Sequence, residues 1–319
     1  MGLSQEWSWI TPDKLEGFPM IGQGMECRVF DIGNGMVAKL YRDTNSVDKY
    51  RSKELEQQFF DSLDRHAVSF CLPQILYSGI HQGHLICVER RLPGSSFLAA
   101  MRKWNDERAE EQTKLYVEAL LQLHRASDGS CQKNLPQVQG TFLSGWKNGW
   151  FACLRGELES AFERYRIYLT AGVTDLNSKQ KRIIDFFAGE YQGEYRMLHG
   201  DFCPENVLID TSGNISAVID FGLIGCYGDI RYDLATGWAF YDMYHQFAPP
   251  YRKLFLDMLA RKWPVEQNFG FLCAYILFYS FCSIGFYSSN CSDGHSRWCL
   301  DNLNDRTLWE GLEASGIGR

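Results

Sequence analysis

The chain changes character at Pro93-Gly94, and that one break limits the architectures open to it. Ahead of it lie short β-type runs separated by turn residues. Met20–Phe30 and Gly35–Tyr41 flank Asp31-Ile-Gly-Asn34 as in a hairpin, and Gln74–Gly79 and His84–Glu89 read as two further strands. One helix interrupts them at Tyr50–Leu63, where Leu55, Phe59 and Leu63 recur at helical spacing. Behind the break the spacing becomes helical, over Phe97–Asp106, Glu111–Leu123, Gly156–Thr170 and Ser178–Tyr191, followed by an aromatic-rich helical remainder. Only Asn206–Asp210 and Ile215–Ile219, turned by Thr211-Ser-Gly-Asn214, return to strand. Strands first and helices afterwards is an α+β pattern. It predicts a small antiparallel-sheet lobe over residues 1–92 and a larger, mostly helical lobe over 93–319. The 319 residues allow two lobes, because single cores stop growing near ~250–300 residues.

Composition removes several function classes. The net charge is −7 and no basic block stands out, so nucleic acid is not an expected partner. The eleven cysteines form no C-x-x-C pair, which argues for reduced thiols in a cytoplasmic protein rather than a zinc or redox site. The N-terminus lacks a basic stretch followed by an apolar one. Phe269–Tyr287 carries no charge over nineteen residues, but its Tyr, Ser, Cys and Gly content fits a buried core helix better than a membrane span. The oligomeric state, monomer or homodimer, stays open.

The chemistry concentrates between His199 and Gly222. His199-Gly-Asp-Phe-Cys-Pro-Glu-Asn206-Val-Leu-Ile-Asp is followed by Val218-Ile-Asp220-Phe-Gly222. Asp201 and Asn206 flank a proline on a loop entering one strand, and Asp220 ends the next. Two strand ends therefore aim two carboxylates and an amide at one place. Such an oxygen cluster suits Mg²⁺, which binds through one or two carboxylates plus phosphate oxygens. The remaining carboxylate can orient and deprotonate a hydroxyl for attack on phosphorus.

This pattern resembles the catalytic loop and D-F-G element of the protein-kinase-like superfamily. Gly200, where protein kinases carry Arg, makes H-G-D-x-x-x-x-N with I-D-F-G similar to the aminoglycoside phosphotransferase and choline kinase group. The resemblance implies a bilobal protein-kinase-like fold and direct transfer of the γ-phosphoryl of ATP, or of GTP, to a small-molecule hydroxyl. Aminoglycoside-type antibiotics come first as acceptors, ahead of choline, homoserine and sugar-like metabolites, with a protein kinase or a non-catalytic nucleotide-binding module as the remaining alternatives. The acidic balance fits simple solubility first and attraction of a cationic acceptor second. Carried over residue by residue, Asp201 would be the catalytic base, Asn206 and Asp220 the ligands of Mg²⁺, and His199 a support of the loop.

Upstream, Gly22 and Gly24 in Ile21-Gly22-Gln-Gly24 would let backbone N–H groups approach phosphates, although Cys27 stands where the third glycine of protein kinases falls. Lys39, fifteen residues after Gly24, matches the lysine that holds the α- and β-phosphates. Its expected carboxylate partner is Glu56, with Glu54 the competitor. Arg90 to Leu92 match the hinge that holds adenine through backbone groups. Downstream, Gly228-Asp229-Ile-Arg231-Tyr-Asp233-Leu-Ala resembles the family's D-x-x-Y-D-L-A segment, with Asp233 a buried acid accepting backbone N–H bonds, and His124 expected to be packed rather than catalytic. The acceptor site is not legible. Trp238, Tyr241, Tyr244, Trp263 and Trp298 read equally well as core, and Asp293, Asp301 and Asp305 read as ammonium ligands or as a solvated surface.

Overall fold

The computed structural model describes residues 7–24, 27–42, 50, 53, 56–57, 59–127, 149–221, 226–247 and 251–316. A short helix, α1 (Pro12–Leu15), precedes five strands: β1 (Met20–Gln23), β2 (Cys27–Gly33), β3 (Met36–Tyr41), β4 (Ile75–His81) and β5 (His84–Arg90). They form one antiparallel sheet in the order β1-β2-β3-β5-β4. The hairpin between β2 and β3 turns at Asn34-Gly35, both at positive φ (53° and 70°), the pairing that two-residue turns favour because it matches the twist of the strands. The turn thus falls later than the sequence pattern placed it. Trp7, Ile10 and Leu15 close one face of the sheet over Phe30, Ala38, Leu40, Ile86 and Val88.

Between β3 and β4 the described residues of 50–61 are helical (α2). Phe59 and Phe60 of this helix are buried and meet Phe221 with ring centroids 6.0 and 5.1 Å apart. The residue that follows the second motif carboxylate is thereby wedged under α2.

The rest of the chain is mostly helical. It comprises β6 (Ser95–Ser96), α3 (Phe97–Met101), α4 (Asp106–Leu123), α5 (Trp150–Arg164), α6 (Arg166–Gly172), α7 (Leu176–Phe186), β7 (Arg196–Leu198), β8 (Val207–Ile209), β9 (Ile215–Val218), β10 (Cys226–Gly228), α8 (Ile230–Phe240), α9 (Tyr251–Ala260), α10 (Val265–Ser283), α11 (Gly294–Asn304) and α12 (Arg306–Ala314). The helix expected over Phe97–Asp106 ends at Met101, because Asn105 accepts the Arg108 N–H (2.9 Å) and starts α4 there instead. The helix expected over Gly156–Thr170 begins earlier, at Trp150, and breaks at Tyr165, whose φ/ψ of −109°/15° is not helical. Strands β7 and β10 pair with each other and left no alternating pattern in the sequence, being three residues each.

Helix α10 is the axis of the helical region. It packs on α8, α11, α12 and α5, and nearly all of Leu272–Phe278 is fully buried. That burial explains the uncharged run read from the sequence. No helix among the described residues is long and apolar enough to cross a membrane.

Candidate active site

The short β8–β9 hairpin brings the motif together. Asn206 precedes β8 and Asp220 follows β9, and the Ile219 N–H donates to the Asn206 carbonyl (2.9 Å), so the two strand ends are locked side by side. Asn206 Nδ2 donates to both the backbone oxygen and Oδ2 of Asp201, each at 2.9 Å. Both bonds use Nδ2, which leaves the amide oxygen as a candidate metal ligand.

The loop in front of Asp201 is held from below by Asp233. Asp233 is fully buried in the first turn of α8 and accepts the N–H groups of His199 (2.6 Å) and Gly200 (2.9 Å), with His124 Nε2 at 3.2 Å. Gly200 takes φ 77°, a left-handed conformation that an L side chain adopts at a cost, so a residue without Cβ belongs here for backbone reasons alone. His199 accepts the Asp201 N–H at Nδ1 (3.1 Å), which assigns its proton to Nε2, 3.0 Å from the Ile219 carbonyl. Burial lowers its pKa against the opposing pull of Asp233, so the ring serves as a neutral strut.

Asp201 is a different kind of acid. Burial pushes its pKa up to about 7; Asn206 opposes the shift, while Asp220, Glu205 and Asp233 add to it. A carboxylate poised near neutrality is suited to taking a proton from an incoming hydroxyl. Asp220 moves the other way, lowered chiefly by Lys39, whose Nζ lies 3.1 Å from Asp220 Oδ1. The Asp220 side chain is 56% exposed and its backbone sits at φ 51°, a position seldom taken outside glycine and turn residues. Two acids facing one cluster are thus driven apart in acidity by their surroundings.

Lys39 on β3 reaches the cluster, but not through the partner expected from sequence. Its Nζ is 3.1 Å from Glu89 Oε2 on β5 as well as from Asp220, while Glu56 is bound by Lys53, one turn earlier on α2. The reason is register: Lys39 lies opposite Cys87, which brings the neighbouring strand's Glu89 within reach. Burial opposes the charge on Lys39, and Glu89 and Asp220 outweigh it, holding its pKa well above the ordinary lysine value. Glu54, the competitor, and Gly222 lie outside the described residues.

Gly22 lies in β1 opposite Val29, and the Gly24 N–H donates to the Cys27 carbonyl (3.0 Å) at the β1–β2 turn. In the candidate hinge, the Arg90 N–H donates to Gln74 and the Arg91 N–H to Gly35, so both are used within the sheet. Leu92, partly exposed, follows them.

A cleft of about 270 Å³ opens beside Asp201, between the loop bearing Cys203, Pro204 and Glu205 and a wall formed by Tyr241, Asp242, Met243, Tyr244, Gln246 and Phe247 with Tyr279 and Tyr287. In that wall Asp242 is 1% exposed. Its Oδ1 accepts the Gln246 N–H (2.8 Å) and the Phe247 N–H (3.3 Å), and among the described residues its buried Oδ2 has no hydrogen-bond partner. An unpaired buried carboxylate oxygen is costly unless a ligand completes it. Sequence reading did not single out Asp242, because one acid in an aromatic stretch carries no motif. Of the three acids it did consider here, Asp293 caps α11 through the Ser296 N–H (2.8 Å), Asp305 caps α12 through the Thr307 N–H (2.8 Å), and Asp301 is exposed on α11.

A five-stranded sheet, a helical region and a polar cluster between them define an α+β fold of the protein-kinase-like type. The family model described as "Phosphotransferase enzyme family" (APH) matches residues 20–269, and the chain belongs to that family: it is an O-phosphotransferase. Among solved structures it is similar to a GDP complex of a point mutant of aminoglycoside 2'-phosphotransferase IIIa, with TM-score 0.62, 15% identity, and 99% of this chain and 97% of that one covered. It is also similar to ADP-bound aminoglycoside phosphotransferase APH(2'')-Ib, at 0.61, 15%, and 97% of each chain. A streptomycin–ATP complex of APH(2'')-IIa follows at 0.56 and 15%, covering 89% of this chain and 94% of that one. At this identity the likeness bears on the fold. No curated protein sequence matches the chain.

Proposed function

We propose that the protein transfers the γ-phosphoryl group of ATP, or of GTP, to a hydroxyl of a small cationic molecule, with aminoglycoside-type compounds first and amino alcohols such as choline second. The observation that carries this reading is the cleft itself: Asp201, the acid poised near neutrality, and Asp242, the acid with an unsatisfied buried oxygen, line the same space. Structures similar in fold hold GDP, ADP or ATP, and one of them holds streptomycin, which supports a nucleotide on one side of Asp201 and an amine-bearing acceptor on the other.

The residues divide the work. Residues 1–92 bind nucleotide, with Gly22 and Gly24 close to the phosphates, Lys39 on the α- and β-phosphates, and the backbone around Arg90 and Leu92 at the adenine. The Lys39–Asp220 contact opens to admit the phosphates, and Glu56 becomes the lysine's partner once Lys53 releases it. Residues 93–319 supply the chemistry. Asn206 and Asp220 fit Mg²⁺, since one amide oxygen and one exposed carboxylate leave coordination positions for phosphate oxygens; among the described residues no group of three or more His, Cys, Asp or Glu forms a self-sufficient metal site. When bound, Mg²⁺ would neutralise charge on the transferring phosphoryl group. Asp201 takes the proton of the acceptor hydroxyl, whose oxygen forms the new bond to phosphorus as the bond between phosphorus and the leaving ADP oxygen breaks. Glu205 and Asp242 attract the acceptor's ammonium groups.

The test is ATP consumption in the presence of Mg²⁺ against a panel of aminoglycosides and amino alcohols, with the product weighed by mass spectrometry. A compound gaining one phosphoryl group is the expected result. Label from ATP appearing only on protein in a cell lysate would overturn the small-molecule reading.

A further inference from the structure

Across the cleft from Asp201, two tyrosines are exposed although they are large and apolar: Tyr244 (43%) and Tyr287 (55%). They come from different segments, the turn after α8 and the link between α10 and α11. Both meet one buried side chain, His295, in the first turn of α11 and 3% exposed. The Tyr244 hydroxyl lies 3.2 Å from His295 Nδ1, and the Tyr287 ring meets the imidazole edge-on with centroids 5.0 Å apart. On its other side, His295 Nε2 is 3.0 Å from Ser283 Oγ at the end of α10, and Trp298 stacks on the ring at 5.7 Å.

Tyr244 also has an unusual backbone. Its φ/ψ of 67°/16° lies in the left-handed region, which a bulky residue keeps only where its surroundings enforce it. The neighbouring Asp242 bonds to Gln246 and Phe247 bend the chain there, and the hydroxyl bond to His295 ties down the far end of the side chain. A neutral imidazole donates through one nitrogen and accepts through the other, which matches a hydroxyl on each side. Burial, opposed by Asp293, lowers the His295 pKa to about 4, so the ring keeps that bonding pattern through the neutral range.

We infer that His295 is a positioning residue for the acceptor: its bond to Tyr244 and its contact with Tyr287 set the width of the cleft facing Asp201 and so select which hydroxylated amine can present its hydroxyl there. This rests on reading the cleft as the acceptor site. Nucleotide binding, on the Lys39 side of Asp201, is independent of it.

The experiment places 3-fluorotyrosine at position 244 in the full chain and compares His295→Leu and His295→Asn. The Asn side chain keeps a polar atom near the Nδ1 position, whereas Leu keeps none. The fluorine resonance is expected to shift and broaden in His295→Leu and to return toward the parent signal in His295→Asn; an unmoved resonance in His295→Leu overturns the proposal. Kinetics follow with whichever panel compound is phosphorylated. Tyr244→Phe and His295→Leu should each raise the acceptor KM by about three- to tenfold, the size of one lost hydrogen bond, with the ATP KM unchanged. The double variant should be no worse than His295→Leu alone. Equal effects on both substrates, or effects that multiply, would assign His295 a general structural role instead. If no compound is phosphorylated, the cationic-acceptor reading fails on its own, and the fluorine measurement still judges the His295–Tyr244 contact.

Discussion

Asp233 and Asp242 are both buried acids, at either end of α8, and they are treated in opposite ways. Asp233 meets two backbone N–H groups and His124, and both of its oxygens are used. Asp242 spends one oxygen on the turn that follows and leaves the other with no partner among the described residues. A satisfied buried acid holds a loop in place, whereas a buried carboxylate oxygen left unpaired in a cleft wall carries a desolvation cost. The difference sets an acid in the first turn of α8 against one two residues beyond its end, and it can be broken or sharpened by substitution.

The largest effect is expected at Asp201, the group that Asp233 holds in place and Asp242 faces. Asp201→Asn should lower kcat by about 10²–10⁴, the usual contribution of a general base, while the melting temperature stays within a few degrees. In the parent enzyme, kcat/KM should rise with pH through about 7, because the base works only when deprotonated and burial has raised its pKa to that value. A pH-independent rate between pH 5 and 8 would remove Asp201 from the proton transfer.

Next comes Asp233→Asn. The amide keeps one acceptor oxygen for three donors, so about 2–4 kcal/mol of stability should be lost in denaturant unfolding, with activity falling as the loop slackens. If Asp233→Asn unfolds like the parent, the scaffold half of the comparison fails. Asp242→Asn should behave in the reverse manner. It retains an acceptor for Gln246 and Phe247, so stability should hold within about 1 kcal/mol, while the acceptor KM rises about tenfold and the ATP KM does not change. Equal loss of stability in the two variants would mean that the two acids do the same job. The smallest effect concerns the Lys53 contact. Lys53→Met frees Glu56 for Lys39 and should change the ATP KM by no more than about threefold, and a drop would support competition between the two lysines.

The α+β character and the order of strands and helices were legible because they are local: alternation, helical spacing, and turn residues such as Thr211-Ser-Gly-Asn214 act within a few neighbours. The cluster of Asp201, Asn206 and Asp220 was legible for a similar reason. A short hairpin joins their positions, so spacing along the chain translates almost directly into proximity. Strands β7 and β10 were not, because three-residue strands give no periodic signal. The contact between Lys39 and Glu89 was not legible for a physical reason: strand register put Glu89 beside the lysine, and register depends on which strands come together rather than on distance along the chain.

The sequence by itself therefore determined the fold class, the family and the grouping of Asp201, Asn206 and Asp220, together with a glycine at position 200 that the structure explains by its positive φ. Tertiary structure alone decided the acidity of the two carboxylates and the make-up of the cleft beside Asp201. Asp201 is moved toward neutrality by burial and by acids brought in from elsewhere in the chain, and Asp242, Tyr244, Tyr287 and His295 meet only when α8, α10 and α11 pack together. Burial and long-range contact are properties of the packed chain, so no spacing of residues along the sequence could have announced them.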